Sequence, residues 1–367
     1  AAPQPVRQPQ AAGANVPLMQ ALESFLPAWL YTEPDVHRWD CSAYAETFWH
    51  PVAATSQIAP DQSQAINLLG RPLLLTRPGA GKPRAFLNRC PHRGVAFQKE
   101  SATGLSCRRL ICPYHGWTYN LEGELLAAVR EQDLPQPFQR KDWPLTALPC
   151  LVDGPLIWVA LSEDVRPLAL QLEQVHQDVM DLWRSPLKLV REIRRGLACN
   201  WKVAHDNTLD DYHVAVAHPT TLHREQGPVK DYVHRFTDLG NVLITPHAAG
   251  GHFHTFGLPP WTHLITWPDG RLALLEFLPS SPVTSTLQLR LFAVQQSQSN
   301  GAEQLEQETD AWLNNLLGFL EEDQQLVESA QLGYESGLTP GPVHRLEERI
   351  LHWQRIYRRH LPRSTGS

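Results

Sequence analysis

The sequence predicts an α+β chain in which a small antiparallel β domain precedes a larger domain of strands and helices. From about 46 to 160, short runs of strand-forming residues alternate with Gly, Pro and Asn turns. Residues 232–296 are again rich in strand-forming residues, and from about 302 to 335 apolar residues recur with the helical period. A chain of 367 residues is long enough for about two or three domains.

The changes in sequence pattern set the predicted boundaries. We predict a disordered tail, a helical segment, the β domain and the second domain over 1–16, 17–45, 46–160 and 161–367. The tail is rich in Pro, Gln and Ala and lacks the apolar stretch of a secretory signal. Within the second domain we predict a connecting helix at 167–184, a hairpin around the Pro-Asp-Gly turn of ITWPDGRLALLEFL, and a final helix in VHRLEERILHWQRIYRRHL.

Composition excludes several classes of protein. Apolar residues make up 42% of the chain and charged residues 19%, with a formal charge of -6. A nucleic-acid-binding protein would be more basic, and a disordered chain would be poorer in apolar residues. No apolar run reaches the length of about 20 residues that spans a bilayer, so we predict a cytoplasmic protein with no membrane partner.

Two short segments each pair a cysteine with a histidine. The segments CPHRG and CPYHGW supply Cys90, His92, Cys112 and His115, and the six cysteines of the chain are too scattered for a disulfide scaffold. Two thiolates and two imidazoles fit either tetrahedral zinc or a Rieske [2Fe–2S] cluster. The Pro and Gly neighbours in both segments form tight turns, and neither segment supplies the His-x₃₋₅-His helix of a typical zinc finger, which favours the cluster over zinc.

A second set of metal-ligating residues follows at 200–221. His213 and His218 are five residues apart, and Pro219 indicates that a helix ends near 216–217, just before His218. Asp210 precedes His213 by three residues and is therefore predicted to be its neighbour on that helix. Two histidines and one carboxylate are the ligands of mononuclear iron sites that activate oxygen.

The predicted helix at 302–335 offers the carboxylate. Asp323 falls within its apolar stripe, which runs through Trp312, Leu316, Phe319, Leu320, Val327 and Ala330. A carboxylate on a buried face is costly unless it has a partner, and a metal ion would be such a partner. Glu321 and Glu322 lie nearer the edge of the stripe and are weaker candidates.

Taken together, these motifs resemble those of the α subunits of Rieske non-haem iron oxygenases over nearly the whole chain, roughly 20–360. The matching segments are CPHRG, CPYHGWTYN, NWKVAHDNTLDDYH with its following histidine, and EEDQQLVESAQLGYESG. The resemblance implies a Rieske domain over 46–160 and a helix-grip catalytic domain with an antiparallel sheet over 161–367.

The resemblance also implies a role for each residue of the motifs. Cys90, His92, Cys112 and His115 would bind the [2Fe–2S] cluster, and His213, His218 and Asp323 would bind mononuclear Fe(II). Asp210 would carry electrons from the Rieske histidine of a neighbouring subunit, and Asn207 and Tyr212 would lie behind the ligands. His205 and Thr208 depart from the residue types common at their positions, and the loop between the two Cys/His pairs is about two residues longer than is common; these departures leave all the ligands in place.

The implied function is that of a terminal oxygenase, a mono- or dioxygenase that uses O₂ and electrons passed from NAD(P)H by a separate reductase, with or without a ferredoxin. The length of the chain favours a homotrimer without β subunits. We predict hydroxylation of an aromatic compound, with oxidative demethylation or monooxygenation of a choline-, carnitine- or betaine-type amine as the alternative. Phe253, Phe256, Trp261 and Trp267 could form a cage for a cation, pack a flat ring, or belong to the core. A simple electron carrier or a zinc module is a competing class, against which the second set of metal ligands argues.

Overall fold

The computed structural model describes residues 24–79, 81–101, 103–294 and 301–362. The predicted tail and the start of the predicted helical segment lie outside these residues. The described part of that segment is helical, with a 3₁₀ turn at Ala28–Tyr31, helix α1 at Pro34–Trp39 and a π turn at Asp40–Tyr44. Tyr31 and Tyr44 are buried and anchor the segment to the core.

The β-rich region forms three antiparallel sheets, with strand orders β5-β2-β3-β4-β9, β6-β7-β8 and β1-β11-β10. The strands are β1 (Trp49–Ala54), β2 (Gln62–Leu68), β3 (Arg71–Arg77), β4 (Arg84–Leu87), β5 (Leu105–Ser106), β6 (Leu110–Ile111), β7 (Thr118–Tyr119), β8 (Leu125–Ala127), β9 (Ala147–Leu148), β10 (Cys150–Asp153) and β11 (Leu156–Ala160). The two Cys/His segments leave this framework at the ends of β4 and β6. The framework brings the two loops together, since the rings of His92 and His115 lie 4.6 Å apart between centroids.

The second half of the chain is built on a seven-stranded antiparallel sheet of order β12-β18-β17-β16-β15-β14-β13. Its strands are β12 (Leu187–Leu197), β13 (Val233–Phe236), β14 (Asn241–Pro246), β15 (His252–Leu258), β16 (Thr262–Thr266), β17 (Leu272–Ser281) and β18 (Thr284–Val294). Its helices are α2 (Leu168–Gln171), α3 (Glu173–Trp183), α4 (Trp201–Thr208), α5 (Val214–Ala217), α6 (Leu222–Gln226), α7 (Gly301–Glu335) and α8 (Glu348–His360). The predicted α+β fold class is confirmed, and so are the Pro-Asp-Gly hairpin between β16 and β17 and the helices at 167–184, at 302–335 and near the C-terminus.

Both faces of the seven-stranded sheet are covered. Neighbouring residues of a strand point to opposite sides, so residues on both sides are buried. One face packs against α3, through contacts that include Phe256, Leu264 and Trp183. The opposite face packs against α4, α7 and α8, and its buried residues include Phe253 and Ile265. The predicted ligands of the second site all lie on or next to the helices of this opposite side. Among the described residues, no helix is both long and apolar enough to cross a membrane.

Arg349 of α8 is fully buried and fixes the segment that follows α4. Its guanidinium donates to both carboxylate oxygens of Asp211 at 3.1 Å. It also donates to Thr255 O at 2.8 Å and to Asn241 Oδ1 at 2.9 Å. Asp211 is itself buried, so the pair is a desolvated ion pair with additional hydrogen bonds. Because Asp210 is the adjacent residue, this pair holds the predicted electron bridge in place.

Replacement of Arg349 by leucine is expected to lower the free energy of unfolding by about 3–5 kcal/mol, because it removes the guanidinium that pairs with the buried Asp211 carboxylate. The imidazole of His234, 2.9 Å from Asp211 Oδ2, is the side-chain contact that remains. Chemical denaturation of the purified protein measures the change. The matched control is Arg359→Leu on the same helix. Arg359 pairs with Asp238, but the two side chains are 56% and 50% exposed, so the expected loss is below about 1 kcal/mol. Equal losses in the two variants would contradict a structural role for the buried pair.

Candidate metal centres

The two Cys/His loops have the same local fold. In each, the cysteine carbonyl accepts a hydrogen bond from the glycine four residues later, at 2.8 Å for Cys90 and Gly94 and 3.0 Å for Cys112 and Gly116. The φ angles of these glycines are 72° and 69°, in the left-handed region that glycine adopts without steric cost. The glycines therefore let each loop turn tightly enough to present its cysteine and histidine together.

The loops place two thiols inside the protein and two imidazoles towards its surface. Cys90 and Cys112 are buried, His115 is half-buried and His92 is exposed. The two imidazole rings lie 4.6 Å apart between centroids, and His92 stacks on Trp117 at 5.0 Å. Burial raises the pKa of the Cys90 thiol, and the neighbouring Cys112 raises it further. A pair of buried thiols facing a pair of imidazoles fits a Rieske cluster, in which cysteines hold one iron and histidines the other.

The second set of predicted ligands converges on one point. The Nε2 atoms of His213 and His218 lie 3.2 Å apart, and Asp323 Oδ1 lies 3.2 Å and 2.9 Å from them, respectively. Ligand atoms about 2.1 Å from one ion and at right angles to one another would be about 3 Å apart. Among the described residues, this is the one group of three or more His, Cys, Asp or Glu side chains whose ligand atoms all lie within 4.8 Å. The spacing fits two histidines and a carboxylate on one face of an iron ion.

The electrostatics of this group favour a cation. Burial by itself would lower the pKa of His213, but the carboxylates of Asp210 and Asp323 outweigh burial and raise that pKa to about 10. Burial would likewise raise the pKa of Asp323, but the two imidazoles outweigh it and lower that pKa. The site thus stabilises positive charge between its three side chains, which a metal ion would supply in place of a proton.

The chain reaches this geometry by a route that differs from the predicted one. The sequence predicts one helix up to 216–217, whereas α4 ends at Thr208 and the shorter α5 begins after His213. His218 follows α5 directly, as predicted from Pro219. Asp210 and His213 are therefore neighbours in a turn and not on a helix surface. The side chain of Asp210 caps this turn, since its Oδ1 accepts from the backbone N–H groups of Tyr212 and His213 at 2.8 and 3.2 Å.

The three residues expected around the ligands lie in different environments. Asp210 Oδ2 is 3.6 Å from His213 Nδ1, and its side chain is 21% exposed. Asn207 Nδ2 lies 3.5 Å from His213 Nε2. Tyr212 is largely exposed and stacks on His344 at 3.9 Å. The structure thus brings Asp210 and Asn207 to His213 but leaves the Tyr212 ring exposed and stacked on His344.

Two acidic residues next to Asp323, weaker candidates in the sequence, point in different directions. Glu321 is 62% exposed and faces Arg195, with 3.5 Å between Oε1 and Nη1. Glu322 contacts the imidazole of His218 on the side opposite Asp323.

Of the residues along the predicted apolar stripe of α7, Ala330 is exposed, so the buried face of α7 is narrower at that point than predicted.

The four aromatic residues considered for a cation cage do not form one cage. Phe256 lies on the α3 side of the sheet, and Trp261 packs 5.3 Å from Trp201. Phe253 and Trp267 do contact each other, at 5.3 Å between ring centroids. However, the guanidinium of Arg271 already lies over the Trp267 ring, with its Cζ 5.2 Å from the ring centroid.

A carboxylate that the sequence analysis missed lies beside Trp267. Glu225 Oε2 accepts from Trp267 Nε1 at 3.2 Å and lies 3.1 Å from His247 Nε2. Glu225 Oε1 accepts from Asn315 Nδ2 of α7 at 3.5 Å. Residue 225 belongs to α6, and its partners come from a loop, a strand end and a distant helix, so no local sequence pattern could have revealed the cluster.

Comparison with known proteins identifies both halves of the chain. A model of the Rieske [2Fe–2S] domain matches residues 48–137. A model of the ring-hydroxylating α subunit catalytic domain matches residues 170–256 and 246–363, which together make up more than half of the chain.

The chain is also similar to individual proteins. It is 26% identical over 329 residues to the carnitine monooxygenase oxygenase subunit of Acinetobacter pittii, covering 84% of this chain and 85% of that protein. It is 31% identical over 216 residues to the chloroplastic choline monooxygenase of Amaranthus tricolor, covering 55% of this chain and 47% of that protein. Its fold matches the crystal structure of the quaternary ammonium Rieske monooxygenase CntA with a bound inhibitor, with a TM-score of 0.80, 23% identity, and coverage of 93% and 96% of the two chains.

Proposed function

The chain belongs to the ring-hydroxylating α subunits with a Rieske domain, the terminal oxygenase components of Rieske-type systems, and from this premise we propose that it oxidises a quaternary or methylated amine. It is a Rieske non-haem iron oxygenase, and its cofactors are a [2Fe–2S] cluster and mononuclear iron. Such an amine is the alternative that the sequence motifs leave open beside hydroxylation of an aromatic compound, and the relatives described above favour it.

The observation that carries this proposal is the similarity to the Acinetobacter pittii subunit, which extends over both halves of the chain. The Amaranthus tricolor relative, matched over about half of this chain, is also a monooxygenase of a quaternary ammonium compound. The match to the ring-hydroxylating catalytic domain supports an aromatic substrate only at the level of the whole family.

The charges at the site support a cationic substrate as well. The carboxylates of Asp210, Glu322 and Asp323 surround two imidazoles. With neutral imidazoles and one divalent ion, three negative charges and two positive charges leave a net charge of -1 in a partly buried site. Such a site attracts an ammonium group more strongly than a neutral ring or an anion.

We assign the ligand roles as the sequence analysis did. Cys90, His92, Cys112 and His115 would hold the cluster, and His213, His218 and Asp323 would hold the iron. When bound, these groups supply electrons and the activation of O₂, respectively. The three side chains would bind the iron from one side, which would leave coordination positions for O₂ and substrate.

We also propose the assembly that the resemblance implies, a homotrimer supplied with electrons by a separate reductase that oxidises NAD(P)H. His92 is exposed, and the side chain of Asp210 is partly exposed beside His213. In the proposed trimer, the Rieske histidine of one subunit would approach Asp210 of the next, and Asp210 would link it to His213.

The test of the substrate class does not require the reductase. Nitric oxide added to the ferrous protein gives a paramagnetic resonance signal from the mononuclear iron, and a substrate that binds beside the metal perturbs it. Choline, carnitine and γ-butyrobetaine are the amine probes, and benzoate and naphthalene are the aromatic probes. We expect one of the amines to shift the signal at a concentration where the aromatic probes do not.

A neutral analogue of choline provides the matched control. In 3,3-dimethylbutan-1-ol a carbon replaces the charged nitrogen, and the shape is nearly unchanged. If choline is the responding amine, its analogue should bind about tenfold more weakly, which corresponds to about 1.4 kcal/mol for recognition of the charge. A signal that responds to the aromatic probes and not to the amines would contradict the proposed substrate class and favour ring hydroxylation.

A further inference from the structure

The imidazole of His218 is held from both sides by consecutive residues of α7. Its Nε2 lies 2.9 Å from Asp323 Oδ1, and its Nδ1 lies 2.6 Å from Glu322 Oε2. His218 is fully buried, while Glu322 is 37% exposed. The ring therefore lies between the proposed metal ligand and a second carboxylate from the preceding residue.

The position of Glu322 is itself fixed. The hydroxyl of Thr221 donates to the same oxygen, Oε2, at 2.7 Å. Thr221 is close to His218 in sequence, on the segment that leads into α6, so the histidine and the threonine approach Glu322 together. The two hydrogen bonds hold the carboxylate against the Nδ1 edge of the ring.

This contact determines which nitrogen of His218 is free to bind a metal. A carboxylate oxygen accepts hydrogen bonds and does not donate them, so Nδ1 must carry the proton. The lone pair of the neutral ring is then on Nε2, the atom that lies beside Asp323 and His213. A carboxylate behind a metal-binding histidine fixes its tautomer and orientation and increases its basicity as a ligand.

The other proposed histidine ligand, His213, also has a carboxylate near its Nδ1 atom, but at a longer distance. The distance from His213 Nδ1 to Asp210 Oδ2 is 3.6 Å, longer than a hydrogen bond. The two carboxylates that stand behind the histidines therefore differ in their contacts. The close one, Glu322, comes from the same helix as Asp323, and the distant one, Asp210, is the residue proposed to pass electrons.

We infer that Glu322 is a positioning residue of the mononuclear metal centre, which holds His218 in the tautomer and orientation that bind iron, whereas Asp210 contributes little to metal affinity. This inference rests on the proposed ligand set of His213, His218 and Asp323, and it is independent of the identity of the substrate. Glu322 would thus act through His218 and not touch the reacting atoms.

The test is the affinity for Fe(II), measured by competition with the chelator ferrozine on protein whose [2Fe–2S] absorbance is intact. We expect Glu322→Ala to weaken Fe(II) binding by about 10–100-fold, the usual cost of losing such a partner. Glu322→Gln retains an oxygen that can accept from Nδ1 and should restore part of the affinity. Thr221→Val removes only the second donor and should cause a smaller loss than Glu322→Ala.

The neighbouring acid supplies the matched control. Glu321→Ala removes the same charge from the same helix, but at a side chain that faces Arg195 and solvent, so its Fe(II) affinity should equal that of the wild type. Wild-type affinity in Glu322→Ala, or an equal loss in Glu321→Ala, would overturn the inference. Asp323→Ala distinguishes a failure of this inference from a failure of the proposed ligand set. If that variant bound Fe(II) normally, the ligand set itself would be wrong.

Discussion

Asp323→Ala is expected to lose the mononuclear iron and retain the [2Fe–2S] cluster. The iron content should fall from about three to about two atoms per chain, since two irons belong to the cluster and one to the two-histidine, one-carboxylate site. Asp323 is the only carboxylate within 3.2 Å of both histidine Nε2 atoms in the described part of the chain. Its removal leaves two neutral ligands for a divalent ion, so turnover should be abolished.

Metal analysis together with the visible spectrum of the cluster measures this change. The matched control is Asp310→Ala, another acid of α7, which pairs with Arg191 at the surface. This control should keep about three irons per chain and full activity. If Asp323→Ala kept its full iron content and activity, the assignment of the third ligand would be wrong.

Asp210→Asn is expected to keep both metal centres and to slow turnover by about 10–100-fold, because it removes a charge from the proposed electron path next to a metal ligand. Asparagine retains the Oδ1 oxygen that accepts from the backbone N–H groups of Tyr212 and His213. The turn should therefore keep its shape. The substitution removes the negative charge beside His213 Nδ1, which lies on the proposed path of electrons from the cluster of the neighbouring subunit.

Rapid mixing of the reduced protein with O₂ and substrate measures this effect as the rate at which the cluster is reoxidised. Asp210→Glu is the informative companion variant because it restores the carboxylate, and it should recover part of the rate. A normal rate of cluster reoxidation in Asp210→Asn would show that electron transfer does not depend on this carboxylate. A loss of iron in Asp210→Asn would instead make Asp210 a structural support of the metal site.

The features that the sequence predicts well are local. Each Cys/His pair lies within one turn, so the spacing and the flanking glycines indicate both the loop and the proposed ligands. His213 and His218 are close in sequence, and Pro219 marks the end of the helix between them. Asp323 could be proposed as the third ligand from the sequence alone, because a helix of 35 residues has a clear period.

The features that the sequence does not predict depend on contacts between distant segments. The break after α4 is stabilised by the capping side chain of Asp210 and by the buried pair of Asp211 with Arg349, which is 138 residues away. Glu322 meets His218 across 104 residues, and a single-residue change in the phase of the helix would direct it elsewhere. The face on which each aromatic residue lies depends on strand register, which is why the four aromatic residues considered for a cage, a ring pocket or the core divide between the two sides of the sheet.

We propose that this oxygenase acts on a quaternary or methylated amine. The most direct test is a single turnover of the chemically reduced protein with ¹⁸O₂ and a mixed panel of such amines and aromatic acids, with the products identified by mass spectrometry. We predict that an amine is consumed, with release of formaldehyde or another aldehyde and of the demethylated or cleaved amine. A labelled phenol or dihydrodiol formed while every amine remains unchanged would contradict the claim.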